Sequence, residues 1–561
     1  MHPYVPELKD QYRRGKVTRR EFMEMAAMLG LSLSGISAFL TSCAPKETET
    51  PTGVPPTATS AAVPTATSVP PTPTPVPTEA GGPKRGGQLV VQSSVGRIDD
   101  PATSGDFNLL RLTTEWLVVL NQDNVVVPWL LEKWEPSDDL KTWTLYVRQG
   151  VKFNNGADFA ADDVIFNLQR WLDPEVGSGM FDLLSPYLSP SNIEEVDDYT
   201  VRLHLDKPQI AMPQHFSGYI CGMVSKDFEG NWVDNPVGTG PYNLDEFLEG
   251  ERAVLKRREG YWRMGADGEP LPYLDSIRFQ SLPGDTATLL TALREERLHQ
   301  LEISAPAVDA IRDDPNVEIV WTPSAYCQQY RMRCDKEPFN DKRVRNAIKI
   351  CQDRETILEV SGRGYGIVAD DHHASPIHPA YCPMDILPRD IDKAKALLAE
   401  AGYADGLDVT LACINQDPYK ILGELLKEMC VPAGINITLD MMPSSMYWDQ
   451  WMDVDFGISS WGHRPLAVML YAAAYKGGVS WNETHWSNEE FDDLLEQAEG
   501  LYDVEERRRV MCELQEILRD DGGVGIPVWV GTLCVVHKKL KNFRPAPQMT
   551  HYNEVWLDPE A

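Results

Sequence analysis

Thr142-Trp143-Thr144-Leu145-Tyr146-Val147-Arg148-Gln149-Gly150-Val151-Lys152-Phe153 is the stretch whose reading decides the fold. Trp143, Leu145 and Val147 alternate with polar or amphipathic neighbours, the period of a half-buried strand. Gln149-Gly150 turns the chain, and Val151 and Phe153 resume the pattern. Within ten residues the period changes. Val164, Leu168, Trp171 and Leu172 fall on one face of a predicted helix that opens at Ala161-Asp162-Asp163. Val201, Leu203 and Leu205 then alternate again. Strand, helix and strand in one short span argue an α/β body.

The same alternation of periods runs outward in both directions. Gln88-Leu89-Val90-Val91 follows a Gly86-Gly87 turn and reads as an opening strand. Val344, Ala347, Ile348 and Cys351 recur at helical spacing, as do Ala394, Leu397, Leu398 and Ala401. Asp390 stands as a cap for the latter helix and Gly402 as its stop. Ser487-Asn488-Glu489-Glu490 fits a capping box ahead of Phe491, Leu494, Leu495 and Ala498. Val510, Met511, Leu514, Ile517 and Leu518 make a further helical face, and Asp408–Ala412 and Ile435–Leu439 read as short strands. The sequence contains no internal repeat.

Two segments precede this body. Six basic residues (Lys9, Arg13, Arg14, Lys16, Arg19, Arg20) lead into an uncharged run from Met25 to Leu40. That is the layout of an export signal. The 16-residue run is short of the ~20 residues that span a bilayer as a helix. Thr18, the Arg19-Arg20 pair and Phe22 resemble the twin-arginine export signal; the alternative is an ordinary secretory signal. Leu40-Thr41-Ser42-Cys43 resembles the bacterial lipobox, which implies lipidation of Cys43 and an anchored, extracytoplasmic protein. From Ala44 to Lys84 the chain is dominated by Pro and Thr and has no aromatic residue. Such a segment cannot bury enough apolar area to offset its ordering entropy. In extended polyproline geometry it reaches roughly 100 Å. Residues 1–42 are thus expected to be a signal peptide and 43–84 a disordered linker.

The body, about 480 residues from Arg85, exceeds a single core, so two lobes are expected. With 84 acidic and 52 basic residues the net charge is −32, which argues against nucleic acid and anionic membrane as partners. Of ten cysteines, nine remain once Cys43 is set aside, an odd number with no C-x-x-C spacing. A metal cluster or thioredoxin-like motif is not indicated. A disulfide is permitted outside the membrane, with Cys327–Cys334 and Cys413–Cys430 as candidate pairs between which spacing does not choose.

Five segments in register resemble the large extracellular solute-binding proteins of ABC importers, family 5, the oligopeptide-, dipeptide- and nickel-binding group. They are Leu130–Asp139; Val151–Gly156 with Ala161–Val164; Pro236-Val237-Gly238-Thr239-Gly240-Pro241-Tyr242 with Tyr261-Trp262; Phe339–Ala347 through Asp353-Arg354; and Trp486–Asn488 with Phe491-Asp492 and Leu494-Leu495. The resemblance implies a two-lobed α/β fold of the periplasmic-binding type, with a hinge, an interlobe cleft and an extra subdomain in the larger N-terminal lobe. The expected boundaries are 85–320 for lobe I, with the subdomain at about 110–235, 321–525 for lobe II, and 526–561 returning to lobe I. It implies capture of a solute, most simply a peptide, delivery to the permease subunits, no catalysis, no cofactor, and a monomer.

The family's cleft segment is matched by Phe456–Leu466. Typical peptide binders carry an acidic residue just after its Trp-Gly, to pair with the ligand ammonium; here His463 and Arg464 follow Trp461-Gly462. The planar fork of Arg464 suits either a ligand carboxylate or an Asp or Glu of a lobe. Trp461 and Trp481 offer large apolar faces with one donor each, for ligand or for core. Asn482 would fix a ligand amide or a turn. Asp370-Asp371-His372-His373 lies in a Pro-rich loop, and the resemblance puts an Asp-His pair, Asp371 and His372, near hinge and cleft, for hinge hydrogen bonding, ligand contact or a metal. Adjacent histidines on an extended chain point opposite ways, which disfavours one shared ion. Oligosaccharide and nickel or another chelated metal are the alternative ligands. An anchored hydrolase is the remote alternative, since no hydrolase or nucleotide motif is present.

Overall fold

The computed structural model describes residues 82–103, 107–547 and 549–560. The signal, Arg19, Arg20, Cys43 and nearly all of the linker lie outside the described residues.

The deciding stretch folds largely as read. Thr142–Val147 is a strand with Trp143, Leu145 and Val147 buried. It lies inside a four-stranded antiparallel sheet ordered Leu131–Pro136, Thr142–Val147, Thr200–His204, Ile193–Asp197. Helix Ala161–Trp171 covers it with Val164, Leu168 and Trp171 fully buried. Val151 and Phe153 are buried but form no strand, because Asn154-Asn155-Gly156 turns the chain and leaves only a bridge from Lys152 to Asp158.

The main sheet runs across the whole body. Its order is Ile435–Met442, Leu407–Ile414, Phe456–Trp461, Val317–Met332, Val528–His537, Gln300–Glu302, Gln88–Gln92, Ser276–Gln280, Arg252–Arg257, Tyr242–Leu248. Helices Lys342–Ile350, Ile391–Glu400 and Tyr419–Cys430 enclose the first part of it, and a core from Tyr330 to Ile458 fills that half. Asp390 caps Ile391–Glu400 by accepting the Lys393 N–H, and Gly402 follows with a positive φ. The helix expected from Ser487 starts at Glu489 instead. Asn488, not Ser487, accepts the Phe491 N–H at 3.0 Å, so the capping side chain sits one residue later.

Two long strands join the halves. Val317–Met332 pairs with Val528–His537 from Val317 to Cys327, but its register breaks between Thr322 and Tyr326. There Pro323, Ser324 and Ala325 stand opposite the single residue Gly531. A Cβ on Gly531 would lie 2.1 Å from the Thr322 carbonyl oxygen, so only glycine admits this approach. Bulges of this kind bend a strand and re-aim the side chains beyond the bend.

Cys382 is bonded to Cys512, tying the Pro-rich loop to helix Val504–Asp521. This corrects both expected pairings. Cys327, Cys413 and Cys430 are buried free thiols in apolar cores, and Cys334 is free as well. The bonded pair is 130 residues apart, a proximity made by packing that local spacing cannot reveal.

Candidate functional site

The Gly-Thr-Gly-Pro-Tyr loop is a packing device. A Cβ on Gly238 would lie 2.0 Å from the Thr113 carbonyl oxygen, and Arg258 donates to the carbonyls of Thr239 at 3.0 Å and Phe153 at 2.9 Å. The loop's carbonyls and glycines are thus used up in holding the first half together.

The cleft opens elsewhere. A cavity of about 340 Å³ lies between the segment Asp182–His215 and the segment Met469–Trp481, with Glu499 beside them. A smaller cavity of about 50 Å³, lined by Arg464, Tyr219 and Gln214, adjoins it. Leu183, His215, Met469 and Trp481 line both. Ligand pockets commonly run from about 300 to 1,000 Å³ and mix apolar walls with a few polar anchors. Here the walls are Leu183, Met469 and Trp481, and the anchors come from both halves of the chain.

Arg464 is half-buried, and among the described residues its guanidinium makes one hydrogen bond, from Nη1 to the His463 carbonyl oxygen at 3.1 Å. Among the described residues no carboxylate lies within ion-pair distance of it. Burial holds its guanidinium below the usual arginine range. His215 is buried, neither ring nitrogen is hydrogen-bonded among the described residues, and burial, then the Arg464 charge, lower it to about 4. At neutral pH it is therefore an uncharged imidazole on the wall of both cavities.

The expected site residues part company. Trp481 lines the cavities and packs its ring 6.2 Å from Trp461. Trp461 turns its N–H away, to Glu483 at 2.8 Å. Glu483 also accepts from Ser459 at 2.8 Å, Gln329 at 2.5 Å and Trp451, with the Arg331 guanidinium 3.6 Å away. Asn482 closes a turn, donating to the Trp486 carbonyl oxygen at 2.7 Å and accepting from Thr484 at 2.9 Å.

His463 faces the register break. Its Nδ1 accepts the Ala325 N–H at 3.1 Å, which leaves Nε2 to donate to Asn124 Oδ1 at 2.8 Å. Asn124 in turn donates to the carbonyls of Ile377 and Pro465, each at 3.1 Å. A turn of the first half is thus pinned to the joining strand and to the cleft segment.

Asp371 and His372 lie in neither cavity. Asp371 pairs with Arg354 and accepts the Ile526 N–H at 2.8 Å and the Gln352 amide at 3.3 Å. His372 is buried between Tyr381 and Trp529, its Nε2 3.4 Å from Gln515. His373 bonds to Tyr475 at 2.5 Å. Among the described residues no three of His, Cys, Asp and Glu stand together as a metal site. The residues missed from sequence are Glu483, Asn124, His215 and Glu499. Glu499 carried a usable signal. Phe491, Leu495, Ala498 and Glu499 fall at i, i+4, i+7 and i+8, so a carboxylate occupies the apolar stripe.

Known proteins resemble this chain over most of its length. The family described as bacterial extracellular solute-binding proteins, family 5 Middle, matches residues 125–482. The glutathione-binding protein GsiB of Salmonella paratyphi A is 28% identical over 444 residues, covering 75% of this chain and 83% of that protein. The ABC transporter-associated periplasmic binding protein DppA of Helicobacter pylori, solved with the peptide STSA, superposes with a TM-score of 0.71 at 22% identity, over 84% of this chain and 98% of that one. NikZ of Campylobacter jejuni, solved with Ni(L-His), gives 0.71 at 21%, over 83% and 97%.

Proposed function

The chain belongs to the bacterial extracellular solute-binding proteins of family 5, and we propose that it captures a short peptide or peptide-like solute by its free carboxylate. The observation that carries this is Arg464, a cation in the cleft wall with no carboxylate of its own. A desolvated guanidinium without a counter-ion is costly, and a ligand carboxylate removes that cost while gaining a bidentate, charge-assisted pair. The apolar faces of Trp481 and Met469 and the unpartnered imidazole of His215 supply the remaining contacts for a small peptide. The peptide-binding DppA and glutathione-binding GsiB support the same ligand class.

The rest of the reading comes from the family. Lobe I spans 85–320, with its subdomain at about 110–235, lobe II spans 321–525, and 526–561 returns to lobe I. Ligand favours the closed arrangement through its differential affinity for it, and the permease subunits of an ABC importer receive the loaded form. Export is directed by the Arg19-Arg20 signal, Cys43 carries the lipid, and the Pro/Thr linker sets the reach of a monomeric, non-catalytic binder. Anchoring raises its effective concentration beside the permease.

Native mass spectrometry of the full chain, offered peptides, oligosaccharides and nickel, tests the ligand class. A retained peptide mass is expected. Titration of the best-bound peptide into Arg464→Ala is expected to show roughly a 10- to 100-fold loss of affinity. Retention of only glycan or metal, or unchanged peptide affinity in the variant, overturns the proposal.

A further inference from the structure

The carboxylate end of the cleft has a counterpart. Glu499 is 3% exposed and lines the larger cavity. It is the last residue of helix Glu489–Glu499, where the helix dipole is already negative. A carboxylate there is placed against its own electrostatic interest unless a cation comes to it. Tyr187 donates to its Oε1 at 2.8 Å and Gln209 to the same oxygen at 3.2 Å. Among the described residues no hydrogen bond reaches Oε2, and no Lys, Arg or His lies within ion-pair distance. Two lysines line the same cavity, but each is engaged elsewhere. Lys476 is held by Glu496 at 2.8 Å, and Lys207 sits 4.6 Å over the Tyr187 ring. Burial raises the Glu499 carboxyl above its ordinary range, outweighing the Tyr187 and Gln209 hydrogen bonds and the charges of Lys476 and Lys207, which lower it.

We propose that Glu499 is the ammonium subsite of this cleft, so that a zwitterionic peptide is held by its carboxylate at Arg464 and by its amino terminus at Glu499. This rests on the peptide-carboxylate reading above. It answers the question raised by His463 and Arg464, which occupy the place where related peptide binders keep an acid. The ammonium is taken by a different carboxylate, on a different helix. Tyr187 and Gln209 belong to the first half of the chain and Glu499 to the second. The backbone agrees: the Ile210 N–H donates to the Glu499 carbonyl oxygen at 2.8 Å. Ammonium binding at Oε2 would therefore complete a contact that already bridges the cleft, and so favour its closed form.

The test uses the full chain and a tripeptide library in three forms: free, N-acetylated and C-terminally amidated. Retained masses are read by native mass spectrometry, and the best binder is titrated calorimetrically. The free form is expected to bind about 10- to 100-fold more tightly than its N-acetyl analogue. Glu499→Gln is expected to remove that difference, while Arg464→Ala weakens both forms and keeps it. Equal affinity of the wild type for free and N-acetyl peptides, with amidated ones rejected, overturns the Glu499 assignment and leaves the carboxylate reading standing. Binding of amidated peptides as tightly as free ones, or no retention in any arm, overturns the carboxylate reading and this one with it. Should Glu499→Gln fail to fold, the free-against-acetylated comparison in the wild type still decides.

Discussion

Two regions of this chain carry the same kinds of side chain and use them in opposite ways. The loop from Asp370 to His378 brings two aspartates and three histidines into the interior. There Asp370 meets Arg519 at 2.9 Å and Asp371 meets Arg354, each with backbone N–H donors as well. The cleft wall brings in Arg464, His215 and Glu499. Among the described residues it leaves the guanidinium without a counter-charge, one carboxylate oxygen without a donor, and both nitrogens of the imidazole without a hydrogen bond, where each loop histidine makes at least one. Burial alone does not separate structure from function here. What separates them is whether the protein has already satisfied the charge. A paired buried charge fixes one conformation; an unpaired one is a cost that binding can remove.

The largest effect should come from breaking a satisfied pair. Asp371→Ala leaves Arg354 buried without its counter-ion, and removes the acceptor for the Ile526 N–H. Urea unfolding is expected to show a loss of about 3–5 kcal/mol. Arg464→Ala, by contrast, deletes a charge that has no counter-charge among the described residues, and should move stability by less than about 1 kcal/mol while it weakens binding. If both variants lost stability equally, the distinction between the two regions would fail.

How much of this was legible beforehand divides along the same line. The periodic parts were plain: the faces of Trp143, Leu145 and Val147 and of Val164, Leu168 and Trp171 are set by local geometry, and local geometry is written in spacing. The Asp390 cap and the Gly402 stop belong to that class. The capping box failed by one residue because Ser487 and Asn488 are both good caps, and only the fold chooses between them. Arg464 was visible as a departure from the pattern the family keeps at that position. Glu499 differs in sequence from Glu489, Glu490, Asp492, Asp493 and Glu496 only by its place on the stripe of Phe491, Leu495 and Ala498, which marks it as buried and says nothing of its partners. Its difference lies in what Tyr187 and Gln209, some three hundred residues earlier, bring to it. The partner of Cys382 was hidden for the same reason.

That disulfide gives the next test. It closes a long loop and fastens the satisfied region to helix Val504–Asp521, while touching neither cavity. Replacing Cys382 and Cys512 together by Ser should lower stability by about 2–4 kcal/mol. Peptide affinity of the folded fraction should stay within about twofold, since no cleft contact is lost. A variant that kept its stability but lost affinity would mean that the loop shapes the cleft after all.

His463 belongs to neither region and sharpens both, since it is buried, satisfied and one residue from Arg464. Its Nδ1 accepts the Ala325 N–H, so the latch requires the neutral ring. Burial first, then the charges of His378 and Arg464, hold it well below the ordinary histidine value. The unfolded chain therefore takes up a proton near pH ~6.5 while the folded one does not. As pH falls below that point the unfolded state gains protons first, and the latch's contribution is lost progressively, by at most about 1.4 kcal/mol per pH unit. His215 and His378, each lowered to about 4, act in the same direction, and buried carboxyls such as Glu499, which are raised, act against it. The readout is therefore a difference. His463→Gln keeps one acceptor and one donor for Ala325 and Asn124 but does not titrate. Its stability should fall less than the wild type's between pH 6.5 and 5.5, by about 1 kcal/mol at most. Parallel curves would mean that His463 takes up its proton equally in the folded and unfolded chain, so that the latch does not depend on the neutral ring.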